Sequence, residues 1–308
     1  MPRSLAQTLP VDVLLQICRL AAADHPSLFA HGGKLLGARW DSHEAVHPLT
    51  LVCKRWHAAA CKVLYDSVAV LGGEQARLFL RSLAGRPALG AEVRRLVVGL
   101  ADPEDEAELD GSSSDKEGER IRTSCEGVGQ TEDGARADSA ALAEVLTRCH
   151  AVEHLQIRRA LHQDTRAAVL PVLVSRPFVT LICAPCWLQG DGARWTRHFH
   201  QPEDVVRLVT PSLRFFEFEF AFAFPSGNGS DENDRIQEAI RKHPLPDRLP
   251  NLRGLRLDGG VPPTALELVL SRTSALAELI VYTERAISAN TILGHLSTKS
   301  AAAIRRLR

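Results

Sequence analysis

The sequence predicts an α/β protein, in which an N-terminal helical module precedes an irregular solenoid of parallel strands and helices. Two apolar stripes with helical spacing lie within the first 66 residues. After them, a short apolar pattern typical of buried strands recurs six times, with helical segments in the gaps. Strands that alternate with helices favour parallel pairing, because each parallel connection has to cross over the sheet.

Composition sets broad limits on the classes of protein to consider. The 308 residues are 45% hydrophobic, which suffices for a real core in one large domain or two smaller ones. The formal net charge is zero, so no overall basic field favours binding to nucleic acid. No apolar run approaches the roughly 18 residues of a membrane span, and we expect neither a membrane association nor a signal peptide.

The seven cysteines are an odd number and are scattered along the chain. Most lie in apolar runs, where a thiol behaves as a small hydrophobic side chain. This distribution indicates a reducing compartment rather than a disulfide framework. We therefore expect the protein in the cytoplasm or the nucleus.

Two helices are predicted in the N-terminal module, on either side of a long loop over residues 22–46. The first begins at Pro10, whose fixed φ suits a first turn, and Asp12 lies near the positive end of the helix dipole. Its apolar residues are Val13, Leu14, Ile17, Leu20 and Ala21. The second helix is predicted from about Pro48 to Tyr65, with an apolar stripe at Leu49, Val52, Cys53, Trp56, Ala59, Ala60, Val63 and Leu64.

A short strand and a further helix follow the module. Residues 67–71 have the pattern of a short strand that stops at Gly72 and Gly73. A helix is predicted from Glu74 to Ala84, and Gly85 is a plausible C-terminal stop.

The recurring strand pattern is apolar-x-x-apolar-x-apolar. Its central residues are Leu96, Leu155, Leu181, Phe216, Leu255 and Leu279. The steps between them are 59, 26, 35, 39 and 24 residues, and two of these fall within the roughly 20 to 29 residues of leucine-rich repeats. Helices are predicted in the gaps at residues 139–149, 164–174, 202–209, 231–242 and 264–271. A compact α/β sheet would give a similar alternation and stays open as an alternative.

An acidic insert is predicted at residues 101–138. Between Ala101 and Ala140 the chain carries 13 acidic and 4 basic residues and almost no large apolar side chains. Such a segment buries too little apolar surface to offset the entropy of ordering, so we expect it to be disordered. A second flexible loop is expected at residues 225–231.

The N-terminal motifs resemble an F-box. Leu9-Pro10 opening an amphipathic helix is similar to the start of that family's module, and Leu51-Val52-Cys53-Lys54-Arg55-Trp56 resembles its most recognisable stretch. Leu64-Tyr65 followed by a Val-rich strand is typical of F-box proteins with leucine-rich repeats. The two helices are about 25 residues further apart than usual, as occurs in fungal members.

This resemblance implies a substrate-recognition adaptor of a cullin–RING (SCF-type) ubiquitin ligase. Residues 1–66 would form the F-box-like module that docks the adaptor subunit, and residues 67–308 a degenerate leucine-rich-repeat-like domain that binds a protein substrate of unknown identity. The resemblance assigns adaptor contact, or shaping of the contact face, to Leu9, Pro10, Leu14, Ile17, Leu49, Val52 and Trp56. These residues could equally form the core of a helical hairpin.

Two alternatives concern the function of the chain. The helical pair could be only an N-terminal cap on a binding scaffold outside any ligase, since solenoids need caps. An enzyme is not expected, because no nucleophile elbow, phosphate loop or zinc-protease motif is present and no catalytic residue or cofactor is indicated.

Cys183, Cys186, His198 and His200 are the four residues that could form a zinc site. Two thiolates and two imidazoles would satisfy a tetrahedral ion. The histidines are only two residues apart, against the usual three to five, and Cys183 occupies an apolar strand position. The sequence therefore favours buried thiols over a metal site.

Overall fold

A computed structural model of the chain describes residues 9–23, 46–99, 132–158, 161–183, 187–190, 195–198, 208–219, 237–238, 240–242, 246–258, 263–282 and 306–307. The helices are α1 (Val11–Ala23), a 3-10 turn (His47–Leu51), α2 (Lys54–Asp66), α3 (Gly73–Gly85), α4 (Leu89–Glu92), α5 (Glu132–Arg148), α6 (Gln163–Val174) and α7 (Pro263–Leu270). The strands are β1 (Ser67–Leu71), β2 (Arg95–Gly99), β3 (His154–Arg158), β4 (Leu161–His162), β5 (Thr180–Cys183), β6 (Trp187–Gly190), β7 (Trp195–His198), β8 (Phe215–Glu219), β9 (Gly254–Asp258), β10 (Glu278–Tyr282) and β11 (Arg306–Leu307).

The main sheet contains eight strands in the order β1-β2-β3-β5-β8-β9-β10-β11. Every pair of neighbours is parallel, and the order follows the chain without a reversal. The prediction of an α/β protein with parallel strands is confirmed. Each of the six copies of the apolar pattern coincides with one strand of this sheet.

The central residues of the six copies lie in one continuous row across the sheet. Strand register pairs Leu96 with Leu155, Leu155 with Leu181, and so on to Leu279. All six side chains are fully buried. The pattern therefore repeats in phase, although its copies are unequally spaced in the sequence.

The helices pack against the face of the sheet that carries this row. α3 packs beside α5, and α5 packs beside α6. Their apolar side chains join the strand residues in the main core, whose largest fully buried members include Phe178, Phe216, Leu142, Leu146 and Leu173. Burial of these stripes is what fixes the helices on the sheet, since isolated helices of this length are marginal in water.

The same backbone contact recurs where successive strands begin. The carbonyl oxygen of Arg94 accepts hydrogen bonds from the N–H groups of Glu153 and His154, at 2.9 and 3.0 Å. The carbonyls of Glu153, Val179, Arg214 and Arg253 accept an equivalent pair from the strand that follows each of them. Five consecutive steps thus share one local geometry, whatever the length of chain between them.

The N-terminal helices have a small core of their own. Leu14, Cys18, Val46, Trp56 and Ala60 are buried together with Ala59, and half-buried apolar residues of both helices surround them. α2 continues into β1 without a linker, and its C-cap Ser67 is already extended. The backbone oxygen of Asp66 also accepts a hydrogen bond from the N–H of Arg94, which joins the module to the start of β2.

The predicted second helix, from Pro48 to Tyr65, is interrupted in the structure. A 3-10 turn ends at Leu51, the chain is extended at Cys53, and α2 starts only at Lys54. Within the turn, the Thr50 hydroxyl donates to the carbonyl oxygen of His47 at 2.7 Å. The tighter i→i+3 winding changes the phase of the apolar stripe, because three residues then complete a turn.

Two predicted loop boundaries also need correction. α5 begins at Glu132, inside the predicted acidic insert (101–138), and Asp138 is buried against Arg77 and Gly73. α1 extends through Ala23, and Val46 is buried in the module core, so the loop predicted over 22–46 is shorter at both ends. In each case tertiary contacts order residues whose local sequence is polar or irregular.

A second, three-stranded sheet was not predicted. β4 pairs in parallel with β6, and β6 pairs with β7 as an antiparallel hairpin. Asp191-Gly192, between β6 and β7, is a hairpin signal that the repeat pattern obscured.

Several predicted elements lie partly or wholly outside the described residues. The helices at 164–174 and 264–271 are present as α6 and α7. Residues 237–238 and 240–242 are helical within the helix predicted at 231–242. The predicted helix at 202–209 and the loop at 225–231 fall largely or entirely outside, as does the insert before Glu132. Among the described helices, none combines the length and apolar character needed to cross a membrane.

Candidate docking surface

Helix α1 is apolar on two faces, of which only one is buried. Leu14, Cys18 and Ala21 face the module core, and burial raises the pKa of the Cys18 thiol. Val13, Ile17 and Leu20 recur at helical spacing in a neighbouring stripe, one residue or roughly 100° around the helix from the first, and Leu20 is 67% exposed. The polar residues Asp12, Gln16 and Arg19 lie further around the helix, so the apolar arc of α1 is wider than one neighbouring helix covers.

A second exposed apolar group lies where the 3-10 turn ends. Leu51 and Val52 are 77% and 54% exposed, whereas Leu49 and Cys53 on either side of them pack against the module core. The tight turn thus places two neighbouring apolar side chains in solvent. We call Val13, Ile17, Leu20, Leu51 and Val52 the exposed apolar set; Val11 adds a further exposed side chain on α1.

The structure divides the seven predicted adaptor-binding residues into three groups. Leu14 and Trp56 are buried in the module core, so they hold α1 against α2. Leu9 and Leu49 are half-buried against that core. Pro10, Ile17 and Val52 are exposed and available for contact.

Val13, Leu20 and Leu51 are not among the seven residues predicted to bind the adaptor. All three lie in motifs that were identified, but a helical stripe does not tell which of its members face the core. The signal that could have found them is the width of the apolar arc on α1, which exceeds what one neighbouring helix covers. Leu78 on α3 is the remaining large apolar residue exposed in the described part of the chain.

The sheet face opposite the main core is a second candidate surface in part only, because Val97, Gln156 and Ile182 on it are buried, whereas Glu217 and Arg256 are half-buried. Its middle row follows the register Val97, Gln156, Ile182, Glu217 and Arg256. Glu217 and Arg256 form an ion pair at 3.4 Å. The side-chain oxygen of Gln156 is buried, and it accepts no hydrogen bond within the described structure.

A second row on this face lies at the start of the strands. Arg95 pairs with Asp66 at 3.2 Å, and the His154 Nδ1 atom lies 2.9 Å from the Thr180 hydroxyl. The Phe215 ring lies over Gly254, where an added Cβ would come within 2.5 Å of the ring. The glycine is therefore required by the close approach of the aromatic ring.

The surroundings of His154 on this face lower the pKa of its imidazole. Burial lowers its pKa, and the nearby Arg95 and Arg214 guanidinium groups lower it further. Glu153 and Asp66 oppose that effect. The imidazole is consequently held in its neutral form, in which it can accept or donate a hydrogen bond to Thr180.

The described residues contain no cluster suited to a metal ion. No group of three His, Cys, Asp or Glu side chains is close enough together within them. Cys183 is buried in the main core, as its apolar strand position predicts. Cys186 and His200 lie outside the described residues, so the arrangement of that predicted set stays a prediction.

Comparisons with known proteins do not assign this chain to a family. No protein-family model matches the sequence, and no curated protein is significantly similar to it. Functional inference for this chain therefore rests on its own residues and their arrangement.

Proposed function

We propose that this protein is a substrate-recognition adaptor of a cullin–RING ubiquitin ligase. The N-terminal module docks the ligase's adaptor subunit, and the repeat-like sheet binds a protein substrate. The protein performs no catalysis itself; it raises the effective concentration of the substrate near the ligase. Its place of action is the cytoplasm or the nucleus.

The observation that carries this proposal is the exposed apolar set on a module that already has its own core. In the described part of the module, α1 and the end of the 3-10 turn expose six large apolar side chains, which are the exposed apolar set and Val11, and both elements pack against α2. Each of these apolar side chains would gain about 1.5 to 3 kcal/mol on full burial, which favours contact with a protein partner. The same segments carry the motifs that resemble an F-box.

The sheet supports the second half of the proposal. A degenerate leucine-rich solenoid would have parallel strands that follow chain order. It would also have one buried row of side chains and a backbone contact repeated from strand to strand. A doubly wound sheet would instead reverse its strand order at a switch point. The face opposite the helices carries the partly accessible side chains of Phe215, Glu217 and Arg256, which suit recognition of a protein segment.

The test is co-purification of the full-length chain with the recombinant adaptor subunit of the ligase. We expect wild type to bind, and Ile17→Asp/Val52→Asp to weaken binding about 100-fold or more, since two apolar contacts are lost. Leu9→Ala/Pro10→Ala should weaken it as well, because both residues lie at the start of α1. A wild-type chain that does not bind, or a double aspartate variant that binds equally well, would refute the proposal.

The matched control is Leu78→Asp. Leu78 is 51% exposed, similar to Val52, but it lies on α3 outside the module. It should leave adaptor binding unchanged and shift stability by no more than about 0.5 kcal/mol, as is usual for exposed positions. Substrates can then be sought by pull-down and mass spectrometry with and without proteasome inhibition, comparing wild type with the double aspartate variant.

One observation favours a different function, a binding scaffold whose helical pair only caps the solenoid. α2 runs directly into β1, and Tyr65 stacks on Phe79 of α3 with ring centroids 6.3 Å apart. The module therefore also covers the first layer of the repeat-like domain. Under this alternative no adaptor subunit binds, and a chain lacking residues 1–66 aggregates.

A further inference from the structure

Cys61 and His57 form a hydrogen-bonded pair on α2. The Cys61 Sγ atom lies 3.5 Å from His57 Nε2, and His57 Nδ1 lies 3.2 Å from the backbone oxygen of Thr50. A carbonyl oxygen can only accept, so Nδ1 carries the proton and donates to Thr50. Nε2 then has a free lone pair, and the thiol S–H donates to it.

This arrangement is that of an activated nucleophile, in which a base lies beside the thiol and a third group orients the base. A thiol reacts as its thiolate, and a neighbouring imidazole of fixed orientation removes the proton. The Thr50 carbonyl supplies the third, orienting partner, as the residue behind the base does in nucleophilic sites. His57 is exposed, and Cys61 retains 9% of its surface, whereas Cys18, Cys149 and Cys183 retain none.

We propose that Cys61 is a modification site for small peroxides, activated by His57. The imidazole takes the thiol proton, and the thiolate sulfur attacks one oxygen of hydrogen peroxide. An S–O bond forms as the O–O bond breaks, and the leaving hydroxide takes the proton from the imidazolium to become water. Sulfur is oxidised to the sulfenic acid, and the peroxide is reduced.

The position of the pair gives this modification a structural consequence. His57 holds the Thr50 carbonyl, and Thr50 directly precedes Leu51 and Val52 of the exposed apolar set. Adding an oxygen atom to the Cys61 sulfur removes the S–H group that donates to His57 Nε2 and puts an S–O–H group in its place. The reactive thiol thus lies one imidazole ring away from the turn that presents two exposed apolar side chains.

The test uses the full-length reduced protein at pH 7 and does not depend on the proposed function. Hydrogen peroxide is added, remaining thiols are alkylated with iodoacetamide, and peptide mass spectrometry gives an oxidation rate for each cysteine. We expect Cys61 to be oxidised faster than the more accessible Cys53, and His57→Gln to slow Cys61 about tenfold or more. Glutamine keeps a donor for Thr50 but has no basic nitrogen.

Two outcomes would overturn the proposal. One is a wild-type Cys61 that is oxidised more slowly than Cys53, as expected for a thiol that is merely shielded. The other is an unchanged Cys61 rate in His57→Gln. Cys18 and Cys149 serve as internal reporters of folding, because they become reactive only if the chain opens. If they become reactive in the variant, the proposal is tested by comparing the oxidation rates of Cys61 and Cys53 in wild type.

Discussion

Replacing Gly90 by alanine places a methyl group against the end of α5. An added Cβ would lie 2.5 Å from the carbonyl oxygen of Arg148 and 3.3 Å from its carbon, closer than side chains approach backbone atoms in real structures. The φ of Gly90 is not in the left-handed region, so the strain is one of space and not of backbone conformation.

The carbonyl cannot retreat easily, because the end of α5 is held by several hydrogen bonds. Arg176 donates to the carbonyl oxygens of Cys149 and Thr147 at 2.8 and 3.1 Å, and the His150 N–H donates to that of Arg148 at 3.0 Å. Overpacking of this kind costs about 1 to 3 kcal/mol. Alanine gains up to about 1 kcal/mol over glycine in a helix, and with that gain the net loss is about 0 to 2 kcal/mol.

Gly85→Ala is the matched control, since nothing lies within 4 Å of a Cβ at that position. It should be neutral or stabilising by up to about 1 kcal/mol. Urea unfolding followed by circular dichroism at 222 nm measures both variants. Equal stability of Gly90→Ala and Gly85→Ala would show that α4 does not pack against the end of α5 as described.

Two further predictions concern charged or ionisable groups in the core region. Arg77 and Asp138 form an ion pair at 2.6 Å, and the carboxylate is largely buried. Asp138→Ala should therefore lower the free energy of unfolding by about 1 to 3 kcal/mol. A double-mutant cycle with Arg77→Ala should show non-additive effects in urea unfolding, and strict additivity would contradict the pairing. Burial raises the pKa of the Cys149 thiol from 9.0 to about 12, against a smaller lowering effect of Arg176. The folded state then holds a proton that the unfolded state loses between pH 9 and 12, so stability should fall as pH rises through that range, by at most about 1.4 kcal/mol per pH unit. Cys149→Ala should flatten this slope in urea titrations at pH 8 to 11, and an unchanged slope would assign the alkaline loss to other groups.

Much of the fold could be predicted because burial imposes a local period on the sequence. The six apolar copies around residues such as Leu155 and Leu279 each need three inward-facing positions, and this requirement is visible within six residues. The helices α1, α3, α6 and α7 likewise carry apolar residues at helical spacing. The sequence did not reveal that the copies align in register across unequal steps, since register depends on contacts between distant segments.

The module shows the limits of the same reasoning. A continuous stripe from Leu49 to Leu64 predicts one helix, yet the chain forms a 3-10 turn and then α2. Propensity distinguishes these two forms weakly, and the choice depends on how Leu49 and Trp56 pack against Leu14. That choice also decides that Leu51 and Val52 are exposed.

The sequence by itself determined the class of the protein and its overall charge: parallel strands alternating with helices, an N-terminal pair of helices, and a formal net charge of zero. These follow from local periodicity and composition. Tertiary structure alone decided which members of an apolar stripe are buried, and it alone brought Cys61 to His57 and Asp138 to Arg77. Exposure and side-chain pairing depend on the packing of whole elements, which no short stretch of sequence encodes.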